Sequence, residues 1–526
     1  MFPAFIPHVP VVTRVRSPPR SPRCQPWRRS FATPRRQRPL CTASAPQPSS
    51  DPSPSISFST AASSAPTLNA ALAEALSRAL AKLGPGGPPN LALIFVSVRY
   101  SLSKIGPSGR DSIDLVVPRL RALVPELKAI FGCTTDGVIG SGQLSDVVEL
   151  QDMPALSVTL ARLPRIKVTP FHVMPDDLPN PDARQLEWRR LVSNPDDTNH
   201  PPAFVILSDP SFAERGDLDT FLNGMQFAYP GSRVVGSLAS AAAAFSRGHM
   251  FCTLPRDVLS PDSSSLRDSG LVGIALTGDI ELDCIVSPGC RPIGPVFEVR
   301  KVYGGIITDM ELVGRPSTLL SAMSHLKSII SFATPQEKLL MQDQLHVGVA
   351  VERVASDDTS EDYLIRHVRG VDMDGGSIAV AHDIRPGQRI RFFLQEPEAA
   401  EKALDANMRQ YKRVELANSL VGYSNPPFGA MVFVDGSRGR ALFREPLTET
   451  RNLSSFAAGV PIAGCFAGGQ IGPCRSFGDN KNTPSVVHHA ANLIALVRRR
   501  SGLSPVEPVD SPSASTADFD ENPEKE

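Results

Sequence analysis

No apolar run in this 526-residue sequence approaches the length a bilayer-spanning helix needs, so a transmembrane anchor is not expected. None of the eight cysteines belongs to a CxxC pair, and the five residues between Cys284 and Cys290 make a poor zinc spacing. Reduced, mostly buried thiols are the expectation, with no metal and no cofactor. The stretch Gly464 to Gly472 lacks the Lys-Ser/Thr ending of a phosphate-binding loop. The first fifty residues lack Asp, Glu and Lys but carry Arg14, Arg16, Arg20, Arg23, Arg28, Arg29, Arg35, Arg36 and Arg38. An acid-free, Arg- and Ser-rich N-terminus matches an organelle-import segment, with Leu40-Cys41-Thr42-Ala43-Ser44 suited to plastid processing. The expected destination is the chloroplast stroma, with the mitochondrion as the alternative; a disordered tail binding nucleic acid or acidic partners is the other reading. Without those nine arginines, 45 basic residues face 54 acidic ones. The remaining body lacks the positive field that nucleic-acid binding needs.

What the sequence does contain is a repeated phrase. Ile130-Phe131-Gly132-Cys133-Thr134-Thr135-Asp136-Gly137-Val138-Ile139-Gly140 returns as Ile462-Ala463-Gly464-Cys465-Phe466-Ala467-Gly468-Gly469-Gln470-Ile471-Gly472. A weaker copy, Val234-Val235-Gly236-Ser237-Leu238-Ala239-Ser240, lies between them. A buried strand entering a tight glycine loop produces such text, and the missing side chains let the backbone approach something closely. The first and middle copies share their upstream order: a short apolar strand (Leu91 to Val98, Ala203 to Leu207), a helical stretch (Leu115 to Val124, Leu218 to Phe227) and a proline. A β-rich stretch follows each, Ala155 to Leu163 and Gly270 to Val286. The pattern predicts an internal duplication of a strand–helix–strand–strand unit.

Residues 1–65 are Pro/Ser/Ala-rich and expected to be unstructured, as is the acidic tail 501–526. Between them the reading places one domain at 66–288 and a second at 289–500. Thr67 is expected to cap a helix with Leu68, Leu72, Leu76, Leu80 and Leu83 on one stripe, ending at Gly84. Polar loops are expected at 175–202 and 255–268. Pro288 to Pro295 reads as a junction that no strand crosses. Strands follow at Phe297 to Tyr303, Leu345 to Val351, Tyr363 to Val368, Ser377 to Ala381, Arg389 to Phe393 and Gly429 to Val434, with a helix from Pro397 to about Glu415. A closing helix is expected from Thr483-Pro484 to Arg500. Strands in adjacent pairs between helices predict an α+β fold: two related lobes, with mixed or antiparallel sheets flanked by helices.

These phrases resemble the FIST family, built of an N-terminal and a C-terminal domain. The resemblance rests on Gly289 to Pro295 with Leu312 to Pro316, on Tyr363 to Asp372 with Gly375 to Val380, on Gly464 to Pro473, on Gly132 to Gly140 and on Asp209 to Phe212. It implies a sensory, small-ligand-binding protein, with amino acids as the suggested ligand class and an unidentified protein partner reading the signal. Some eukaryotic relatives add an F-box. No such segment is evident here, but scaffolding in ubiquitin-linked turnover is the alternative the resemblance implies. Gln470 stands where bacterial relatives tend to carry Glu, and the turn after Val434 lacks their cysteine.

The expected ligand-binding residues are Gly132, Cys133, Thr134, Thr135, Asp136, Gly137, Gly236, Ser237, Arg366, Arg438, Cys465, Gly469 and Gln470, on loops of both lobes. Backbone N–H groups and the threonine hydroxyls suit an anion, and Asp136 suits an ammonium. Arg366, Arg438 and Arg291 suit a carboxylate, or else bridge loops. Cys133 and Cys465 are packed thiols, or nucleophiles of a cysteine-dependent enzyme if a base lies near. The histidines show no telling spacing. His488-His489, on a helix, would point apart and not share a metal.

Overall fold

The computed structural model describes residues 56–102, 112–143, 146–193, 200–241, 247–255, 257, 265–351, 363–474, 483–500 and 504–505. The arginine-rich segment lies outside them. Six strands form a first unit: β1 (Ser57–Ser63), β2 (Leu91–Ser97), β3 (Ala129–Thr135), β4 (Gly137–Ser141), β5 (Val147–Gln151) and β6 (Leu156–Arg162). Six form a second: β7 (Ile166–Val173), β8 (Ala203–Ser208), β9 (Val234–Leu238), β10 (Met250–Cys252), β11 (Leu266–Arg267) and β12 (Leu271–Gly278). The third opens with β13 (Glu281–Ser287) and is then interrupted by β14 (Cys290–Tyr303), β15 (Ile306–Leu312), β16 (Arg315–Ser321), β17 (Leu345–Ala350), β18 (Tyr363–Val371), β19 (Ile378–Val380) and β20 (Arg389–Gln395). After the short β21 (Tyr423–Ser424) it resumes with β22 (Gly429–Asp435), β23 (Ile462–Ala467), β24 (Gln470–Pro473), β25 (Ser485–His488) and β26 (Asn492–Arg498).

The class is α+β, as the strand pairing predicted, and the repeated unit occurs a third time. The three six-stranded sheets have orders β1-β6-β2-β3-β10-β11, β7-β12-β8-β9-β24-β25 and β13-β26-β22-β23-β4-β5. Each holds four strands of its own unit, with one parallel pair at the centre. Each is completed by a hairpin from another unit: the second lends to the first, the third to the second, and the first to the third. Polar side chains anchor the lent hairpin of the first unit. Glu149 accepts hydrogen bonds from Thr450 N and Oγ1, both at 2.8 Å, and Gln151 accepts one from Arg440 N at 2.9 Å.

The central strands are buried on both faces, so they read as continuous apolar runs such as LALIFVS. One face of each sheet meets the others in a shared core containing Phe95, Phe131, Cys133, Val205, Val235, Phe433 and Cys465. Helices cover the other faces. α1 (Leu68–Leu83) starts at Thr67, whose hydroxyl accepts from Ala70 N, and ends at Gly84. Its buried stripe includes Leu68, Leu72, Leu76 and Leu83 with Ala75 and Ala79; Leu80, expected on that stripe, is instead exposed. α2 (Val116–Leu123), α3 (Gln185–Leu191) and α4 (Asp217–Ala228) follow. α5 (Pro397–Leu420) and α6 (Thr448–Phe456) serve the third unit. None of the helices among the described residues is long and apolar enough to cross a membrane.

Five expectations are corrected. Residues 57–63, placed in the unstructured segment, form β1, paired along its length with β6. The polar stretch 175–202 contains α3, whose buried Trp188 packs so closely on Gly224 that an added Cβ there would lie 2.1 Å from the ring. The Pro/Gly run 288–295 does not stop a strand: β14 passes through it with a register break between Ile293 and Val296. Its proline stretch pairs only with β20, and pairing with β15 begins at Phe297, so Pro292 has an unpaired side and Pro295 falls in the bulge. The closing helix is β25 and β26. Asn492–Arg498 lies between β13 and β22, and periodicity alone does not separate a short, fully buried apolar run from a helix segment. At the other end, residues 504–505 of the expected tail pair with β21.

Candidate functional site

The glycine of each repeated phrase lies in a strand, and what it approaches is the neighbouring parallel strand. A Cβ on Gly132 would sit 1.8 Å from Ile94 O, one on Gly236 1.7 Å from Ile206 O, and one on Gly464 1.9 Å from Val432 O. The three glycines occupy the same register, each opposite the residue it would strike. They set strand spacing and do not present backbone to a ligand. The next positions, Cys133, Ser237 and Cys465, are fully buried. Burial pushes both thiols up, with Cys465 reinforcing the shift at Cys133 and Asp136 reinforcing that at Cys465. Ser237 Oγ donates to Gly469 O at 3.0 Å. These thiols are packing groups within one core, where no thiolate nucleophile is favoured.

The turns beyond the glycines come together. Asp136 N donates to Phe466 O, Ser240 N to Thr134 O and Leu238 N to Gly469 O, joining the three units in a ring of backbone bonds. The Thr134 hydroxyl is engaged with Ser240 O at 2.7 Å and His249 N at 2.9 Å, and Thr135 Oγ1 reaches Val96 O at 3.5 Å, so neither threonine faces outward. Gly137 is buried in β4, against Gln151 and Leu150 O. Gly469 is buried against Leu238.

Four places after the glycines stand Asp136, Ser240 and Gly468. Asp136 and Gly468 are exposed and Ser240 is buried. Asp136 is therefore a solvent-facing carboxylate at the meeting of the turns. The protein around it removes enough hydration to raise its pKa; the Ser240 hydroxyl opposes that shift and Asp435 reinforces it. A Cβ on Gly436 would lie 3.1 Å from Asp136 Oδ2, so the turn after β22 packs directly on this carboxylate.

That turn leads to a cluster of imidazoles. His346 on β17 and His367 on β18 are direct cross-strand partners. His489 comes from the connection between β25 and β26, and Asp435 ends β22. His367 Nε2 lies 3.3 Å from Asp435 Oδ2, while Asp435 Oδ1 accepts from Ser437 N at 3.0 Å and Ser437 Oγ at 2.7 Å. The His367 ring packs edge-on against His346 and His489, with centroids 5.0 Å and 4.8 Å apart. His346 Nε2 meets Gln395 Oε1 at 3.2 Å. Burial disfavours a charge on His367, but the Asp435 carboxylate outweighs it and the pKa is raised. Burial would likewise raise Asp435, yet His367 holds it far below the usual carboxylate range. His346 is pushed down to about 4 by burial, with His367 adding to the effect. His489 is pushed well down for the same two reasons. Ala490 holds a left-handed backbone, φ 55°, which turns the chain sharply after His489.

The arginines lie elsewhere. Arg438 is fully buried and grips Glu449 in two bonds of 2.7 and 3.1 Å, with Asn492 on the same carboxylate at 2.7 Å. Its Nη1 reaches Ser287 O, Pro288 O and Ala490 O. Arg366 is buried, donates to Ile365 O and Val487 O, and is pushed down to about 10 by burial. Arg291 binds Glu337 and Glu396 at the surface. The carboxylate clamp is therefore corrected: Arg438 and Arg291 hold carboxylates of the protein itself, and Arg366 holds backbone. Gln470 is buried, donates to Ala467 O at 3.2 Å and leaves Oε1 without a partner. Two grooves of about 700 and 650 Å³ include none of the turn residues.

Of the expected site, Asp136 alone reaches solvent beside a concentration of ionisable groups. The sequence reading missed His346, His367, His489 and Asp435. The one available signal was the alternating pattern of β17 and β18, which places His346 and His367 on strands. Their pairing, and the hairpin that returns His489, are long-range events.

Three cyclically linked α+β units with an inserted antiparallel sheet define the fold class. The FIST N domain model matches residues 90–311 and the FIST C domain model residues 322–473. The chain belongs to the FIST family. It is 29% identical over 412 residues to the uncharacterized protein Rv0628c of Mycobacterium tuberculosis, covering 78% of this chain and 93% of the relative. It is 30% identical over 244 residues to the uncharacterized protein Mb0898c of Mycobacterium bovis, covering 46% and 56% respectively. FIST domains are associated with signal transduction and small-ligand sensing.

Proposed function

We propose that the chain senses a small molecule carrying an ammonium group, with an amino acid as the ligand class, at the turns where the three units meet. The observation that supports this is Asp136: a solvent-facing carboxylate, ringed by turns from every unit and backed by Ser240 and Gly436. A cation placed there relieves the repulsion between Asp136 and Asp435, which is worth more in a partly desolvated site than in water. Because the three turns are bonded to one another, a ligand held between them favours one arrangement of the units, which a partner protein can read.

The test is a thermal-shift screen of the full chain against amino acids and simple amines. A true ligand at a hundred times its Kd stabilises by about 2.7 kcal/mol. Asp136→Asn keeps the shape and removes the charge. It should hold or slightly raise the unliganded Tm, since the fold disfavours this charge, and weaken the hit at least about tenfold, the loss of one charge-assisted contact. No shift across the panel, or a hit indifferent to Asp136→Asn, overturns the reading.

A further inference from the structure

Three imidazoles converge on one carboxylate at the junction between the inserted sheet and the third unit. A histidine–aspartate hydrogen bond explains only part of that cluster. His367 turns its Nε2 to Asp435 at 3.3 Å. His489 is a second imidazole at the same carboxylate, buried, with Nδ1 lacking any hydrogen-bond partner. His346 Nδ1 is in the same condition. A buried nitrogen lone pair without a donor costs free energy that a fold does not accumulate without return.

We propose that His367, Asp435 and His489 form a binding site for one divalent first-row transition metal ion, with Zn²⁺ as the fitting example. Two imidazoles and one carboxylate are the donor set such ions take, leaving a further position for water or a ligand group. Among the described residues these three form the group whose donor atoms all lie within 4.8 Å of one another. Tetrahedral zinc with bonds of about 2.0–2.2 Å sets its donors roughly 3.3–3.6 Å apart, so inward side-chain rotations that bring the donors together by about 1–1.5 Å close the site. The surroundings already orient the carboxylate. Ser437 holds Asp435 Oδ1 through both its amide and its hydroxyl, while His367 Nε2 lies 3.3 Å from both carboxylate oxygens. Such outer bonds fix ligands in metal sites. The backbone is set too, since Ala490 in its left-handed turn has its carbonyl held by Gln395 Nε2 at 3.2 Å. Access exists through His367, whose side chain is 28% exposed. The ion stands independently of the amino-acid reading: its ligands do not include Asp136, and its test uses no amino acid.

The experiment is a titration of the chelator-treated full chain with Co²⁺, followed by its visible absorption and by competition with Zn²⁺. The expected result is one equivalent bound, a ligand-field band typical of a low-symmetry nitrogen–oxygen site, and displacement by Zn²⁺. His489→Ala and His367→Gln should each weaken binding by at least about a hundredfold, beyond the 10–100-fold of an outer-shell change such as Ser437→Ala. His172→Ala, far along the chain in β7, should bind as the parent does. Circular dichroism melts in chelator separate unfolding from lost affinity. If His489→Ala is unfolded, the half-buried His367→Gln carries the test. Absence of a stoichiometric band in the parent, or equal binding by parent and folded variants, overturns the proposal.

Discussion

In the first unit the residue four places beyond the strand glycine is Asp136, solvent-facing and electrostatically strained. In the third it is Gly468, equally exposed, with nothing within 4 Å of the side chain it lacks. The strands entering the two turns are alike in every structural respect: parallel pairing, a glycine against the neighbouring carbonyl, then a buried cysteine. Repetition has preserved what holds the sheets together and left the tips free to differ. One tip carries the carboxylate, and another carries no side chain at all.

Giving the strand glycines a side chain is expected to have the largest effect. Gly132→Ala and Gly464→Ala each place a methyl under 2 Å from a backbone oxygen, and the parallel pair has to separate. A loss above about 4 kcal/mol is expected from such overpacking with backbone displacement, seen as collapse of soluble yield or of the denaturation midpoint. Gly468→Ala, at the tip, should stay within about 0.5 kcal/mol of the parent. Equal tolerance at both positions would remove the distinction between frame and tip.

The next contrast lies between two arginines that looked alike in sequence. Arg438→Ala leaves Glu449 as an unpaired charge at 0% exposure, with an expected cost of about 3–5 kcal/mol in chemical denaturation. Arg291→Ala removes ion pairs from a guanidinium that is 41% exposed, where about 1 kcal/mol or less is expected. A reversed order would mean that Arg438 is not fixed in the core.

The smallest effect concerns Glu149, on the hairpin lent by the first unit to the third. Burial raises its pKa to about 7, with Thr450 opposing and Glu449 reinforcing. A carboxyl raised in the folded state binds its proton more tightly there than in the unfolded chain. Its contribution is complete below the unfolded value near 4.5 and fades as pH rises through about 7. Glu149→Gln keeps the acceptor for Thr450 and removes the titration, so the decline in Tm between pH 4.5 and 7 should become shallower than in the parent. Parallel profiles would show that this contact does not sense pH.

Much of the frame was legible before any coordinates. The run LALIFVS reads as a central strand because it is short, carries β-branched and aromatic residues, and follows the turn-forming stretch Gly84 to Asn90. Thr67 and Gly84 bound a helix through local hydrogen bonds that need no distant partner. Asn492–Arg498 was harder: whether a short apolar run coils or extends is decided by its neighbours, here β13 and β22. The hairpin exchange between units was not legible either, since every copy carries similar text and nothing local says whose sheet a hairpin completes.

The sequence by itself determined the repeated strand, the glycine each copy needs, and Asp136 at one tip, because side-chain volume and backbone sterics act within a few residues. Tertiary structure alone decided that Arg438 serves the core, and that His346, His367, His489 and Asp435 share one place. Those residues come from three different strands and one connection, and hydrogen bonding, desolvation and ring packing exist only once the sheets have closed around them.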